Sequence, residues 1–215
     1  MKIKKNDFIE LNYTAKTKEG EIFDTTLKEI APEEKKNEVK PLRMAVGKSH
    51  VLKGLDDKIE GLELGEHVIE LKPEEAFGKK DAKKLKLMPM SLFKKQNIKP
   101  FPGLELNIDN TLGIVRSVSG GRVIVDFNHP LASKDIVYEV NILRKIEDAK
   151  EKAESLMEVL GIPYKELKVE DKKIILEMEQ EFPEQFQTIL KKEVKELLNK
   201  DLEFKKKSLN KQQPK

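Results

Sequence analysis

Apolar and polar positions alternate from residue 3 to 15, with Ile3, Phe8 or Ile9, Leu11 and Tyr13 as the apolar points. The extended pattern resumes at Glu21-Ile22-Phe23-Asp24 after the turn signal Lys18-Glu19-Gly20, so residues 7–26 are expected to form a β-hairpin. The next stretch, KEIAPEEKKNEVKP, has nothing to bury and predicts a surface loop. Leu42 to Val46 predicts a short strand closed by Gly47-Lys48. From Val51 to Gly61 the period changes: Val51, Leu52, Leu55 and Ile59 fall at helical intervals, which predicts an amphipathic helix of about three turns. Gly61 suits its C-terminal cap, and Glu66 to Leu71 alternates again as a strand ending at Pro73.

Residues 88–133 have the pattern of a separate module. Prolines open it (Pro89, Pro100, Pro102), and two β-branched segments follow, joined at Ser119-Gly120-Gly121 as a hairpin turn. IVYEVNIL, within Asp135 to Leu143, is strand-like. Ile146 to Leu160 predicts a helix, 167–178 a strand, and Pro183 to Leu202 a long amphipathic helix with Phe186, Ile189, Leu190, Val194, Leu197 and Leu198 on its apolar side. Spacing thus gives an all-β opening with one short helix, interrupted by a small β insertion, completed by a strand and followed by a mixed domain.

Composition narrows the function by exclusion. Charged residues make up 38 % of the chain, yet 42 Lys and Arg nearly balance 39 Asp and Glu, leaving a net charge of +3. That balance argues against nucleic acid as the main partner, because such proteins concentrate basic excess on one face. The absence of cysteine removes disulfides, thiolate zinc sites and thiol catalysis. The start, MKIKKNDFIELNY, lacks an apolar core of signal-peptide length and no run could span a bilayer, so a cytoplasmic protein without membrane contact is expected. Three scattered histidines make no metal site, and no nucleophile elbow, P-loop, dinucleotide or zinc-protease motif is present. No metal and no cofactor are expected.

What remains is a group of apolar and aromatic residues beside single carboxylates. Gly20-Glu21-Ile22-Phe23-Asp24, the Val46–Asp56 segment VGKSHVLKGLD, Gly65-Glu66, and Pro73-Glu74-Glu75-Ala76-Phe77-Gly78 occur in the order found in FKBP-type peptidyl-prolyl isomerases, which this chain resembles over most of residues 1–145. The return from the insertion through Asn128-His129-Pro130-Leu131-Ala132 is similar to the SlyD-like subfamily. The C-terminal third resembles the long archaeal type, in which an extra domain follows the isomerase.

The resemblance implies an α+β fold, a bent antiparallel sheet around one short helix with a pocket between them, together with an inserted small β-rich domain and a C-terminal α/β extension. The boundaries that go with it are 1–83 with 129–146 for the isomerase domain, 84–128 for the insertion, 147–204 for the C-terminal domain and 205–215 for a flexible tail. Catalytic residues implied are Tyr13, Phe23, Asp24, Leu52, Phe77 and Tyr138; substrate-binding residues are Met44, Val51, Leu55, Ala76 and Leu131. It departs from the family at Leu55, often a large aromatic, and at Phe77, often a tyrosine. The implied activity is cis–trans isomerisation of Xaa-Pro bonds in unfolded or partly folded polypeptides, with a chaperone function from the insertion, where Met88, Met90 and Phe93 are expected at the surface. The alternative is a holdase or interaction module on the same fold with little turnover. The long C-terminal helix could pack on its own strand (Ile174 to Leu176) or pair with a second copy, and the lysine clusters are candidate ribosome-docking points. His129, fixed in an extended conformation by Pro130, is expected to be a hinge residue using a ring nitrogen for a local hydrogen bond.

Overall fold

Period-2 patterning makes strand β1, Phe8–Thr17, the spine of the first sheet: the Phe8, Ile9, Leu11 and Ala15 side chains are buried along it. Its other elements follow in chain order as β2 (Ile22–Thr25), β3 (Leu42–Ala45), α1 (Lys53–Ile59), β4 (Gly65–Leu71), β5 (Leu85–Pro89), α2 (Met90–Lys95), β6 (Glu105–Ile108), β7 (Thr111–Ser119), β8 (Arg122–Asp126), β9 (Ile136–Ile146), α3 (Ala149–Val159), β10 (Glu166–Val169), β11 (Lys173–Met178), α4 (Glu184–Leu198) and β12 (Asp201–Lys206). This is a computed structural model that describes residues 2–178 and 182–206. The chain divides into two units, one formed by residues up to Glu70 together with those from Val137 onward, the other by Leu71–Ile136.

In the first unit the order β2-β1-β9-β4 forms a sheet of five strands, with β3 also on β1. One strand thus carries two partners on one edge: Phe8 to Leu11 pair with β3, and Thr14 to Lys16 pair with β2. The register slips between Ala15 and Lys16, a bulge in the β1–β2 pairing on the side of the hairpin turn. Helix α1 presents Leu55 and Ile59 to the core, both essentially without exposed surface. It is shorter than its apolar spacing predicts, because Leu52 is its N-cap in an extended conformation and Val51 precedes it.

The C-terminal segment folds into the same unit. Asp148 caps α3 by accepting from the Glu151 N–H at 2.8 Å. The single strand expected over 167–178 is an antiparallel pair, β10 and β11, and β12 then joins β11 in parallel after the α4 crossover. Leu190 and Val194 of α4 pack on Ile174 and Leu176 of β11, and this core also takes in Phe8, Ala45 and Ile146 from the first sheet. Asn199, in the left-handed region at φ 53°, ends α4 before the expected limit at Leu202. Lys205 and Lys206, expected to begin a loose tail, instead close the β11–β12 ladder; the remainder of that expected tail lies outside the described residues.

The second unit is built on a sheet of order β5-β8-β7-β6. Gly120 and Gly121, at φ 55° and 75°, make the two-residue turn that pairs Ser119 with Arg122, a conformation costly for residues with a Cβ. Helix α2, absent from the sequence-based expectation, covers one face with Phe93 against Val115, Val123 and Val125. Phe93 therefore lies in the core, 3 % exposed, and not on the surface as expected. The reason is local: α2 begins directly after Pro89 and lays its apolar side on the sheet. Met88 and Met90 pack half-buried against the same core.

Candidate functional site

The N–H and carbonyl of Tyr13 are both bonded to Thr26, which fixes the β1–β2 junction: the Tyr13 N–H donates to Thr26 Oγ1 at 2.8 Å and the Thr26 N–H donates to the Tyr13 carbonyl at 3.0 Å. Asp24 stands opposite Ala15, diagonal to Tyr13, and the two side chains meet: the Tyr13 hydroxyl donates to Asp24 Oδ2 at 2.7 Å. The Tyr138 ring, on β9, lies beside the Tyr13 ring with centroids 5.7 Å apart and planes tilted by 56°. Burial, then the hydrogen bond to the Asp24 carboxylate, pushes the Tyr13 phenol far above its ordinary value. Burial, with the Asp24 charge adding to it, pushes Tyr138 up to about 12. Both phenols are neutral donors at any physiological pH, and Asp24 itself is solvent-exposed.

The segment leading into α1 is held by a carboxylate from the helix. Asp56, 1 % exposed, accepts the Gly47 N–H on Oδ1 at 2.8 Å and the Ser49 N–H on Oδ2 at 2.7 Å. Gly47 and Ser49 both sit at positive φ, 81° and 57°, so the loop is a wound conformation that the carboxylate pins. His50 follows, its Nδ1 accepting the Ala45 N–H at 3.3 Å, and then come Val51 and Leu52, both half-buried. As N-cap, Leu52 gives its carbonyl to the Leu55 and Asp56 N–H groups at 2.9 and 3.0 Å, while its own N–H precedes the helical ladder.

A cleft of about 370 Å³ adjoins this arrangement, with Tyr13, Thr25, Thr26, Leu42, Arg43 and His50 in its lining. Met44, expected to touch substrate, has no exposed surface and supports the strand from beneath. Leu42, two residues earlier on the same face of β3, is the half-buried side chain that lines the cleft. Leu55 is likewise fully buried, a floor and not a lining group. Phe23 is half-buried next to Asp24. A larger cleft of about 710 Å³ shares Tyr13 but runs along Asn12, Glu66, Val68 and Glu139, away from Asp24 and the α1 loop. Tyr13 and His50 line the smaller one, while Asp24 with Phe23 lines a further cleft of about 200 Å³ that shares Thr25 and Val39 with it.

The second unit holds the other expected site residues. Phe77 stacks face to face on the His129 ring, centroids 4.4 Å apart and planes within 4°. His129 Nδ1 accepts the Leu131 N–H at 3.2 Å, the local hydrogen bond expected of a hinge histidine. Ala76 and Leu131 are half-buried in the same unit. Nearby, Asp126 accepts from the Asn128 N–H and amide and from Arg116; burial opposes its charge, but these donors outweigh it and hold the carboxyl below its ordinary range. Among the described residues no cluster of three or more metal-ligating side chains forms, and no helix is long and apolar enough to cross a membrane.

Sequence reasoning missed Asp56, His50 and Leu42. The signal for Asp56 was present: it lies four residues after Leu52 and three before Ile59, a carboxylate inside the apolar stripe of α1. Leu42 was equally available from the two-residue period of β3. His50 carried no such mark, because the partner of its second nitrogen, Glu193, comes from α4, far away in sequence.

Residues 1–100 match the sequence profile of the FKBP-type peptidyl-prolyl cis-trans isomerase family, and residues 86–131 match that of the FKBP26 IF domain. A short-type peptidyl-prolyl cis-trans isomerase of Methanocaldococcus jannaschii is 26 % identical over 145 residues, covering 65 % of this chain and 92 % of the relative. The FKBP-type peptidyl-prolyl cis-trans isomerase SlyD of Haemophilus influenzae is 26 % identical over 149 residues, covering 66 % of this chain and 72 % of the relative. The FKBP-type 16 kDa peptidyl-prolyl cis-trans isomerase of Escherichia coli K12 is 24 % identical over 156 residues, with 66 % and 92 % covered.

Proposed function

This chain carries an FKBP-type peptidyl-prolyl cis-trans isomerase domain, and from that premise we propose that it rotates Xaa-Pro bonds in unfolded polypeptides and holds those polypeptides with its inserted module. The observation that carries the first half is the Tyr13–Asp24 hydrogen bond at 2.7 Å with Tyr138 beside it, next to a loop pinned by Asp56.

The reaction needs no nucleophile. Amide resonance sets a barrier of about 18–20 kcal/mol, and resonance places charge on the carbonyl oxygen and the nitrogen. Water stabilises that planar, charge-separated form more than the twisted one, so a dry apolar surface lowers the barrier by withdrawing the solvent. Val51 and Leu52 supply apolar surface, the Tyr13 and Tyr138 rings hold the proline, and the Leu52 N–H, outside the helical ladder, bonds the substrate backbone. Asp24 acts electrostatically on the rotating carbonyl group, its orientation fixed by the Tyr13 hydroxyl.

For the second half, the working domains are 1–83 with 129–146, the insertion 84–128, and the extension 147–204. The supporting observation is the face of the insertion sheet that α2 leaves open. Leu87 pairs with Ile124, and Leu85, Leu87 and Leu112 are exposed on this sheet at 45 %, 59 % and 48 %, while Phe101, in the loop before β6, is 58 % exposed. These side chains, in place of Phe93, are the client-binding surface, and tethering a client there raises the effective concentration of its prolines at the pocket. Replacing 84–128 by a short Gly-rich loop is expected to abolish acceleration of a proline-limited protein refolding while short-peptide isomerisation stays within about twofold. Equal loss of both would overturn the division of labour. Pairing with a second copy through the exposed Phe186 and Ile189 of α4 belongs to the same reading and is measured by light scattering. Docking of Lys79, Lys80, Lys83 and Lys84 on ribosomes is measured by salt-sensitive cosedimentation.

A further inference from the structure

The cleft beside Tyr13 is lined in part by the C-terminal extension. Glu158 and Val159, at the end of α3, join Tyr13, Leu42, Arg43 and His50 around its space of about 370 Å³. This placement is built into the fold. Phe8 and Ala45 of the first sheet share a core with Leu156 and Met157 of α3 and with Leu190 and Val194 of α4. Ion pairs tie the same segments: Arg43 Nη2 to Glu158 Oε2 at 2.6 Å, Arg43 Nη1 to Glu151 Oε1 at 3.8 Å, Lys48 Nζ to Glu196 Oε1 at 2.6 Å, and Lys40 to Glu158. The isomerase-side partners in these pairs, Lys40, Arg43 and Lys48, lie in the stretch that leads directly into Val51 and Leu52, and Arg144 of β9 adds a further pair to Glu151.

The charged side chains lining the cleft balance, Glu38 and Glu158 against Lys40 and Arg43. Glu158 takes both Lys40 and Arg43, and the Arg43 and Glu158 side chains are only 26 % and 28 % exposed. His50 is 4 % exposed at its side chain, occupied by the Ala45 N–H on one nitrogen and 3.5 Å from Glu193 on the other. Apart from the exposed Glu38 and Lys40, the cleft offers an incoming chain the Leu42 and Val159 side chains and the Tyr13 ring, in a space that falls at the small end of ligand pockets and holds roughly two residues of extended chain.

We propose that this cleft is a substrate subsite that takes an uncharged side chain flanking the Xaa-Pro bond, and that the C-terminal extension builds it through Val159 and the Glu158 pairs. The subsite rests on the isomerase reading of Tyr13 and Asp24 and assigns the extension a part in choosing substrate. The lining selects against an acidic flanking residue, because Glu158 already holds Lys40 and Arg43 and the free-standing Glu38 carboxylate repels a further negative charge.

The test uses the full chain in a protease-free isomerisation assay with blocked peptides sharing one Xaa-Pro core. One set is the core alone; others add two residues on either side, carrying Leu or Glu. For the wild type, a Leu extension on one side is expected to raise kcat/KM by about threefold or more over the core, and the matching Glu extension is not. Val159→Arg is expected to remove that gain and leave the core peptide's kcat/KM unchanged. Glu158→Gln releases Lys40 and Arg43, so the Glu-extended peptide is expected to gain about threefold over the Leu-extended one at low salt, an advantage that shrinks as salt rises. The charge-swapped preference is a result that loosened packing does not give, and a thermal melt of each variant confirms that it folds. The subsite is overturned if the wild type treats core and Leu-extended peptides alike, or if the gain survives in both variants. Failure of the wild type to turn over the core peptide at all would instead remove the isomerase reading on which the subsite rests.

Discussion

Replacing Asp56 by Ala tests whether one carboxylate holds the loop that leads to the substrate-binding residues. The side chain is 1 % exposed and accepts two backbone N–H groups, from Gly47 at 2.8 Å and Ser49 at 2.7 Å. Hydrogen bonds to a charged group are worth about 1.5–3 kcal/mol each, and a buried donor left alone costs a similar amount. Two such bonds give a loss of about 3–5 kcal/mol, less whatever entering water recovers. With a urea slope of about 2–3 kcal/mol per molar, the midpoint is expected to fall by roughly 1–2 M. The loop conformation adds to the effect, since Ser49 is held at φ 57° and has no reason to stay there once released. Asp56→Asn keeps one acceptor oxygen and turns an amide donor toward the other N–H, so it is expected to lose at least half as much. The assay is urea unfolding followed by far-ultraviolet circular dichroism, with proline-peptide turnover measured on the folded fraction, where a rise in KM is expected. A midpoint shift below about 0.5 M for Asp56→Ala would refute the reasoning, because it would mean the loop does not depend on the carboxylate.

Two further outcomes follow from the same geometry. Tyr13→Phe removes the hydroxyl that orients Asp24; stability is expected to change by less than about 1 kcal/mol, since water can replace the donor at an exposed carboxylate, while isomerase activity falls about three- to tenfold. Unchanged activity would show that Asp24 needs no orientation. For His50, burial lowers the pKa and Lys48 adds to this, outweighing the Glu193 and Asp56 carboxylates that act the other way. A histidine depressed on folding binds fewer protons than in the unfolded chain, so its contribution to stability is complete above the unfolded value near 6.5 and is lost as pH falls through the lower folded value. The melting temperature of the wild type is therefore expected to drop on going from pH 7.5 to 5.5 more than that of His50→Gln, and parallel pH profiles would rule the account out.

The first hairpin, β3, β4, β9 and the β7–β8 turn were legible because alternation and glycine pairs are local signals. Helix α1 was legible in position but not in length, since Val51 and Leu52 continue the apolar spacing although Leu52 is extended. The β10–β11 pair was hidden because its turn, Glu170 to Lys172, contains neither Gly nor Pro. Helix α2 was hidden between prolines, and with it the burial of Phe93. The core shared by Phe8, Ala45, Leu156 and Val194 was beyond reach for another reason: each segment shows an apolar face, and nothing in the spacing says which face meets which. The catalytic group divides the same way. Motif order names Tyr13, Asp24 and Tyr138, whose side chains the fold brings together, whereas period 2 does not say which of the same-face residues Met44 and Leu42 reaches the surface.

The account rests on Asp24 and Tyr13 serving proline isomerisation, and the cis-to-trans rate of a short proline peptide, with wild type against Asp24→Ala, tests that most directly. The wild type is expected to accelerate the exchange, and Asp24→Ala to lower kcat/KM by about tenfold, equivalent to about 1.4 kcal/mol of transition-state stabilisation, with an unchanged melting temperature. A wild type that leaves the uncatalysed rate unaltered, or a variant as active as the wild type, would contradict it.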